Sequence, residues 1–115
     1  MTWLITARYR PAGAEARLAI RDQHLDYLLA HTARLRYGGA LLSDDEPPRV
    51  TGMFIAIDAA SRDDAGRFIE QEPYHRAGLF ASVTLERLNQ FVPNDDPRFL
   101  ANELRRERER LGRQT

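Results

Sequence analysis

Apolar and polar residues alternate from Thr2 to Tyr9, with Trp3, Ile5, Ala7 and Tyr9 on one side and Leu4, Thr6 and Arg8 on the other. A two-residue period predicts a strand, and Pro11 with Gly13 ends it. From Ala14 to Leu35 the period becomes that of a helix, with Leu18, Leu25, Leu28, Leu29 and Leu35 on one broad stripe. Gly38 and Gly39 are read as its stop. Ala40 to Ser43 reads as a short strand, Asp44 to Pro48 as a polar turn, and Val50 to Asp58 as a strand apolar on both faces. Ser61 is a helix N-cap, with Asp64 as its capping-box acid. The helix it opens runs to about Gln71 with Ala65, Phe68 and Ile69 inward, and Pro73 breaks it. Tyr74 to Phe80 is expected to be a short helical turn. Ala81 to Val92 is the last strand, with a bulge expected near Arg87 and Leu88, where the alternation slips.

The order β-α-β-β-α-β is the split, ferredoxin-like arrangement of an α+β domain. It predicts a four-stranded antiparallel sheet with both helices on one face. The other face must then meet solvent or a partner. Because the Val50–Asp58 strand is apolar on both sides, the pattern predicts a homodimer that closes two sheets into a barrel. This domain is read as residues 1–92, and residues 93–115 as a linker and a charged C-terminal helix. There Asp96 is the expected N-cap and Pro97 the first helical position. Leu100, Leu104 and Leu111 make a thin apolar stripe for docking on the body or the partner, beside the charged run Arg105 to Arg110.

Composition narrows the class. A chain of 115 residues suits one domain, and that size buries roughly two-thirds of its unfolded surface. A pocket completed by a partner would ease that limit. Hydrophobic residues at 43% and charged residues at 30% mark a globular chain. The formal net charge of +0 favours neither nucleic acid nor an anionic membrane. All the basic residues are Arg, so Schiff-base and P-loop lysine chemistry are excluded. The absence of Cys excludes disulfides, thiolate nucleophiles and zinc–thiolate sites. No apolar run approaches the roughly 18 residues of a membrane span, and the N-terminal apolar segment is too short for a secretory signal. The expectation is a cytoplasmic protein.

Two residues stand out as chemistry-bearing. His24, in RDQHLDYLL, lies beside the leucine stripe, with Tyr27, Leu28 and His31 as its helical neighbours. Alone, such a histidine is more often structural. Glu72 precedes Pro73, which pushes it out of helical conformation and fixes the direction of its side chain. It is read as the end of the second helix, at the negative end of that helix's dipole; the bland alternative is a surface helix stop. His31 and His75 complete the histidines, and no pair has the spacing of a helical metal chelate. No metal, cofactor, phosphate-loop or RNA-recognition pattern is expected.

Together these features resemble a known family. A βαββαβ domain with Arg21, His24, Leu25, Tyr27 and Leu28 as R-x-x-H-L-x-Y-L is similar to the YciI-like (YCII-related) proteins. The Gly38–Leu41 turn and strand, the Gly52–Ile57 strand, Glu72-Pro73-Tyr74 and Gly78-Leu79-Phe80 follow in family order. The resemblance covers about residues 1–92. It implies a dimeric α/β barrel with a pocket where the histidine faces the acid of the Asp-Pro motif. Some relatives are small-ring enzymes, such as a dehydrochlorinase of chlorinated hydroxyquinols. Two positions depart from the pattern. Glu72 replaces Asp, lengthening the side chain by about 1.5 Å, and Ala33 and Arg34 stand where relatives often carry an acid late in the first helix.

The leading expectation is a cofactor-free lyase or isomerase acting on a small, cyclic or phenolic substrate. His24 moves the proton and Glu72 orients it. Arg8 or Arg21 holds an anionic oxygen, and Tyr27 or Tyr74 donates a hydrogen bond. The alternative is a non-catalytic ligand-binding or assembly module with the same pocket. A dry, paired imidazole would favour catalysis, and an open, solvated one would favour binding.

Overall fold

A computed structural model describes residues 1–113. Four strands form one antiparallel sheet: β1 (Thr2–Tyr9), β2 (Leu35–Leu42), β3 (Val50–Asp58) and β4 (Phe80–Leu88). Their order is β2-β3-β1-β4. The helices are α1 (Gly13–Ala16), α2 (Arg21–Ala30), α3 (Arg62–Glu70), α4 (Pro73–Arg76) and α5 (Phe99–Arg110). This is the expected α+β, ferredoxin-like sheet. The pleat of β1 sorts its side chains as its alternation predicts, burying Trp3, Ile5 and Ala7. The pairing of β1 with β3 places these opposite Ile57, Ile55 and Met53, so both sets share one face. Ala65, Phe68 and Ile69 of α3, with Tyr74 and Phe80, complete the core over that face. Each fully buried aliphatic there contributes roughly 1.5–3 kcal/mol.

α3 begins as its cap predicts: Ser61 Oγ accepts from the Asp64 amide at 3.1 Å. The acid reaches one residue further back than a capping box requires, because the Asp64 carboxylate accepts from the Ala60 amide at 3.0 Å. That bond, with Arg34 and Arg67 nearby, holds the Asp64 carboxyl below its ordinary range.

The region from Ala14 to Leu42 departs from its pattern. Instead of one helix, α1 passes into a 3₁₀ turn (Arg17–Ile20), then α2, then a second 3₁₀ turn (Thr32–Arg34). No residue of α2 is fully buried, and Leu18, Leu25 and Leu29 are exposed. Tyr27, Leu28 and Ile20 make the contact with the core instead. Gly38 and Gly39 do not stop a helix; they lie mid-strand in β2, which starts at Leu35 rather than Ala40. At Gly38 a Cβ would stand 2.9 Å from the Phe54 carbonyl oxygen, so glycine lets β2 close onto β3.

β4 ends at Leu88, not Val92, and its irregularity lies at the other end. Arg8 pairs with Ser82 but Tyr9 with Phe80, leaving Ala81 as the extra residue. Arg87 and Leu88 pair regularly. α5 starts at Phe99 rather than Pro97, after a turn in which the Asp96 carboxylate accepts from the Arg98 amide at 2.9 Å. Leu100, Leu104 and Leu111 remain exposed, so the stripe is not docked on the body. Among the described residues no helix is long and apolar enough to cross a membrane.

Candidate active site

Glu72 adopts extended backbone (φ −66°, ψ 133°) ahead of Pro73, as a pre-proline residue should. It does not end α3, which stops at Glu70. It is the N-cap of α4: Oε2 accepts from the Tyr74 amide at 2.9 Å. The expected dipole placement is thus reversed, with the carboxylate facing the amide end of a short helix. The other oxygen, Oε1, lies 2.5 Å from His24 Nδ1. Glu72 is completely buried, and the His24 side chain is 12% exposed. Burial of a carboxylate is tolerable because both of its oxygens are hydrogen-bonded. As a carboxylate, Glu72 only accepts, so the bond places a hydrogen on Nδ1 and leaves Nε2 as the nitrogen free to face the cleft.

Tyr74 holds the imidazole from the side. The two rings stack at 4.1 Å with an 8° interplanar angle, and Tyr74 is itself buried. Tyr9 meets Tyr74 edge-on at 6.1 Å, and the Arg17 guanidinium lies 6.0 Å from the Tyr9 ring centre. Burial pushes the Tyr9 hydroxyl up to about 12, aided by Tyr74 and Glu72 and opposed by Arg17. Burial also raises Tyr74, against the pull of Arg17. Arg17 Nε is buried without a hydrogen-bond partner among the described residues.

These groups border a cleft of about 530 Å³ between the α2 side and the β2–β3 strands. Tyr9, Arg17, Arg21, His24, Leu28 and Tyr74 form one side, and Gly38, Met53 and Ile55 lie across from them. Among the described residues no Asp or Glu lines this cleft, whereas Arg17, Arg21 and Arg36 do. Arg36 is engaged by Asp58 at 3.7 Å and Asp95 at 3.6 Å. Among the described residues Arg17 and Arg21 have no carboxylate within 4.0 Å. The cleft therefore offers cationic hydrogen-bond donors to an anion.

Four of the residues singled out by sequence come together here: His24, Glu72, Arg21 and Tyr74. Two do not. Tyr27 turns away and donates its hydroxyl to the Phe68 carbonyl at 2.7 Å, tying α2 to α3. Arg8 is exposed on the opposite face of the sheet, because β1 puts every second side chain there. Tyr9 and Arg17 replace them in the cleft. The signals for both were local: Tyr9 shares the inward face of β1, and Arg17 stands one and two turns before Arg21 and His24. Arg34, in place of a family acid, serves structure by pairing with Asp64 at 3.0 Å and donating to the Asp58 carbonyl at 3.1 Å. The longer Glu72 does not break the pair with His24. Among the described residues no three His, Asp or Glu side chains gather as a metal-ligand set.

A four-stranded βαββαβ sheet carrying a buried carboxylate–imidazole pair at an arginine-lined cleft defines a small α+β domain of the dimeric α/β barrel kind. The chain belongs to the YCII-related domain family, whose pattern matches residues 1–89. It is 33% identical over 92 residues to an uncharacterized protein of Haemophilus influenzae, covering 75% of this chain and 94% of the relative. It is also 33% identical to the solved structure of 5-chloro-2-hydroxyhydroquinone dehydrochlorinase (TftG) from Burkholderia phenoliruptrix AC1100, in complex with 2,5-dihydroxybenzoquinone. That likeness has a TM-score of 0.71 and covers 83% of this chain and all of the other. SnoaB, a cofactor-independent oxygenase from Streptomyces nogalater, is more distant, at 16% identity and TM-score 0.46 over 81% of this chain and 96% of its own.

Proposed function

We propose that this protein is a small-molecule enzyme of the lyase or isomerase type, using His24 to move a proton on an anionic, ring-bearing substrate. The observation that carries the reading is the 2.5 Å contact between His24 and the fully buried Glu72. An imidazole that borders a cleft and is oriented by a fully buried carboxylate is the arrangement a general base needs, and it favours catalysis over a binding-only module. Family membership and the likeness to a dehydrochlorinase support the same class.

In this reading His24 Nε2 takes the proton of a ring hydroxyl, and the Glu72 carboxylate stabilises the imidazolium that results. The oxygen's electron pair moves into the ring. Returning the proton to a ring carbon isomerises the substrate. An anionic leaving group then departs from that carbon with its bonding pair while a second ring hydroxyl gives up its proton and becomes a carbonyl. The products are a quinone, the leaving anion and one proton, so the elimination needs no outside oxidant or reductant. Arg17 and Arg21 hold the negative charge that develops on oxygen. Such a ring suits the cleft: 2,5-dihydroxybenzoquinone, bound by TftG, is a vinylogous acid and hence anionic near neutrality. The half-buried apolar groups on the open sheet face, Leu4, Phe54 and Tyr37, support a homodimer formed through that face.

The test is turnover of chlorinated hydroxyhydroquinones, followed by chloride release, beside a panel of small lactones. Wild type should turn over at least one class and His24→Gln should lose about a hundredfold or more. A His24→Gln variant as active as wild type would refute the role of His24. Failure of 2,5-dihydroxybenzoquinone to bind at millimolar concentration would refute the substrate class.

A further inference from the structure

We propose that α5 of one chain packs antiparallel along the outer face of α2 in a second copy of this chain. α2 presents Leu25 and Leu29, four residues apart, and α5 presents Leu100 and Leu104 at the same spacing; all are 40% exposed or more. Run antiparallel, two layers come into register: Leu29 with Leu100 and Leu25 with Leu104. The next leucine of each stripe lies just outside its helix, Leu18 in the 3₁₀ turn before α2 and Leu111 at the C-cap of α5.

The charges beside the seam choose the same orientation. Arg21 and Asp22 on one helix, and Glu107 and Arg108 on the other, share the level one turn beyond the Leu25–Leu104 layer. At about 100° per residue, Asp22 and Arg108 lie on the advancing side of their leucines, and Arg21 and Glu107 on the trailing side. In an antiparallel pair sides of the same sense meet, so Asp22 faces Arg108 and Arg21 faces Glu107. In a parallel pair, with Leu25 beside Leu100 and Leu29 beside Leu104, these charges fall at opposite ends of the seam and do not meet. Arg21 has donors enough for Glu107 and for the cleft it borders.

Three observations assign the contact to a second copy rather than to the chain's own α2. The radius of gyration is 17.6 Å and the longest dimension 56 Å, against about 13 Å expected for the radius of a compact chain of this length; α5 stands off its own body. The linker that aims it is built, not loose. Gln90 donates to the Pro93 carbonyl at 2.7 Å, Asn94 donates to the Gln90 carbonyl at 3.1 Å, and the Asp96 amide donates to Asn94 Oδ1 at 2.9 Å. Arg36 of β2 holds Asp95 at 3.6 Å. Finally, α5 has 12 residues, a length at which a helix unsupported by packing is marginal in water. About a two-fold axis the contact occurs twice.

The chain has no cysteine, so the test is clean. Full-length Leu25→Cys and Leu104→Cys are made separately, one with a size tag, then mixed and mildly oxidised. Both leucines are exposed, so neither substitution threatens the core. The mixed disulfide should dominate over either homodimer, and Arg108→Glu in the Leu104→Cys chain should reduce its yield about fivefold, restored when the Leu25→Cys chain carries Asp22→Arg. Mixed disulfide no more abundant than the homodimers would overturn the proposal. So would a disulfide within one chain of the doubly substituted Leu25→Cys/Leu104→Cys variant.

Discussion

Replacing Glu72 with Gln should invert the tautomer of His24 while leaving the fold intact. Glu72 accepts two hydrogen bonds, from the Tyr74 amide at 2.9 Å and from His24 Nδ1 at 2.5 Å. Gln has one acceptor oxygen and one donor nitrogen at nearly the same positions. The backbone amide of Tyr74 can only donate, so it takes the oxygen. The Gln amide nitrogen then faces His24 Nδ1, which must become the acceptor, and the ring hydrogen moves to Nε2. Two charge-assisted bonds become neutral ones, each weaker by about 1 kcal/mol. A total near 2 kcal/mol should lower Tm by about 8 °C for a chain of this size. The assay is long-range ¹H–¹⁵N correlation of the imidazole, which distinguishes protonated from bare ring nitrogens without any substrate. Wild type should show hydrogen on Nδ1 and the variant on Nε2. With Nε2 protonated the base is lost, and turnover should fall about 10²- to 10⁴-fold. A variant that keeps its Nδ1 hydrogen, or a wild type that carries it on Nε2, would refute the reasoning.

Other outcomes follow from the same geometry. Tyr74→Ala removes a buried ring from the core and the stacking surface from His24; denaturant unfolding should show a loss of about 3–5 kcal/mol, and a loss under 1 kcal/mol would contradict the packing. Ultraviolet titration should place Tyr9 near 12. The folded state then holds this proton where the unfolded chain, near 10, has released it. Its contribution is thus complete below about pH 10 and disappears as pH rises through 12, so Tyr9→Phe should blunt the alkaline fall in stability; an unchanged pH profile would count against the assignment. At Gly52 a Cβ would stand 2.4 Å from the Ala7 carbonyl oxygen, so Gly52→Ala should cost about 1–3 kcal/mol, measured by thermal unfolding. A neutral result would mean that the β1–β3 pair yields more easily than its spacing implies.

Short-range pattern was sufficient for much of this molecule. Alternation in β1, the apolar run of β3 and the Ser61 cap all arise from interactions within a few residues, and the structure keeps each of them. His24 and Glu72 were legible as candidates for a related reason: proline restricts the residue before it wherever the chain goes, and a histidine beside an apolar stripe is conspicuous in any helix. The Gly38–Gly39 pair misleads because the same absence of a Cβ ends a helix or admits a neighbouring strand. Only the presence of Phe54 across the gap decides between them.

The identity of the cleft side chains was a tertiary matter. Tyr9 and Tyr27 are both tyrosines on half-buried faces; the alternation of β1 turns Tyr9 inward, but only the fold decides that this face borders the cleft while Tyr27 ties α2 to Phe68. Arg8 and Arg17 differ in the same way. β1 sends one across the sheet, while the 3₁₀ turn after α1 brings the other over Tyr9. The leucines from Leu18 to Leu29 carry a helical period without saying which arc faces inward, and α5 carries a stripe without saying what it meets. Sequence determined where strands and helices could form, because backbone preference and side-chain period act over a few residues. Tertiary structure decided which faces were buried and which side chains share the cleft. Those outcomes depend on close approach, burial and charge between residues far apart along the chain, such as His24 and Glu72.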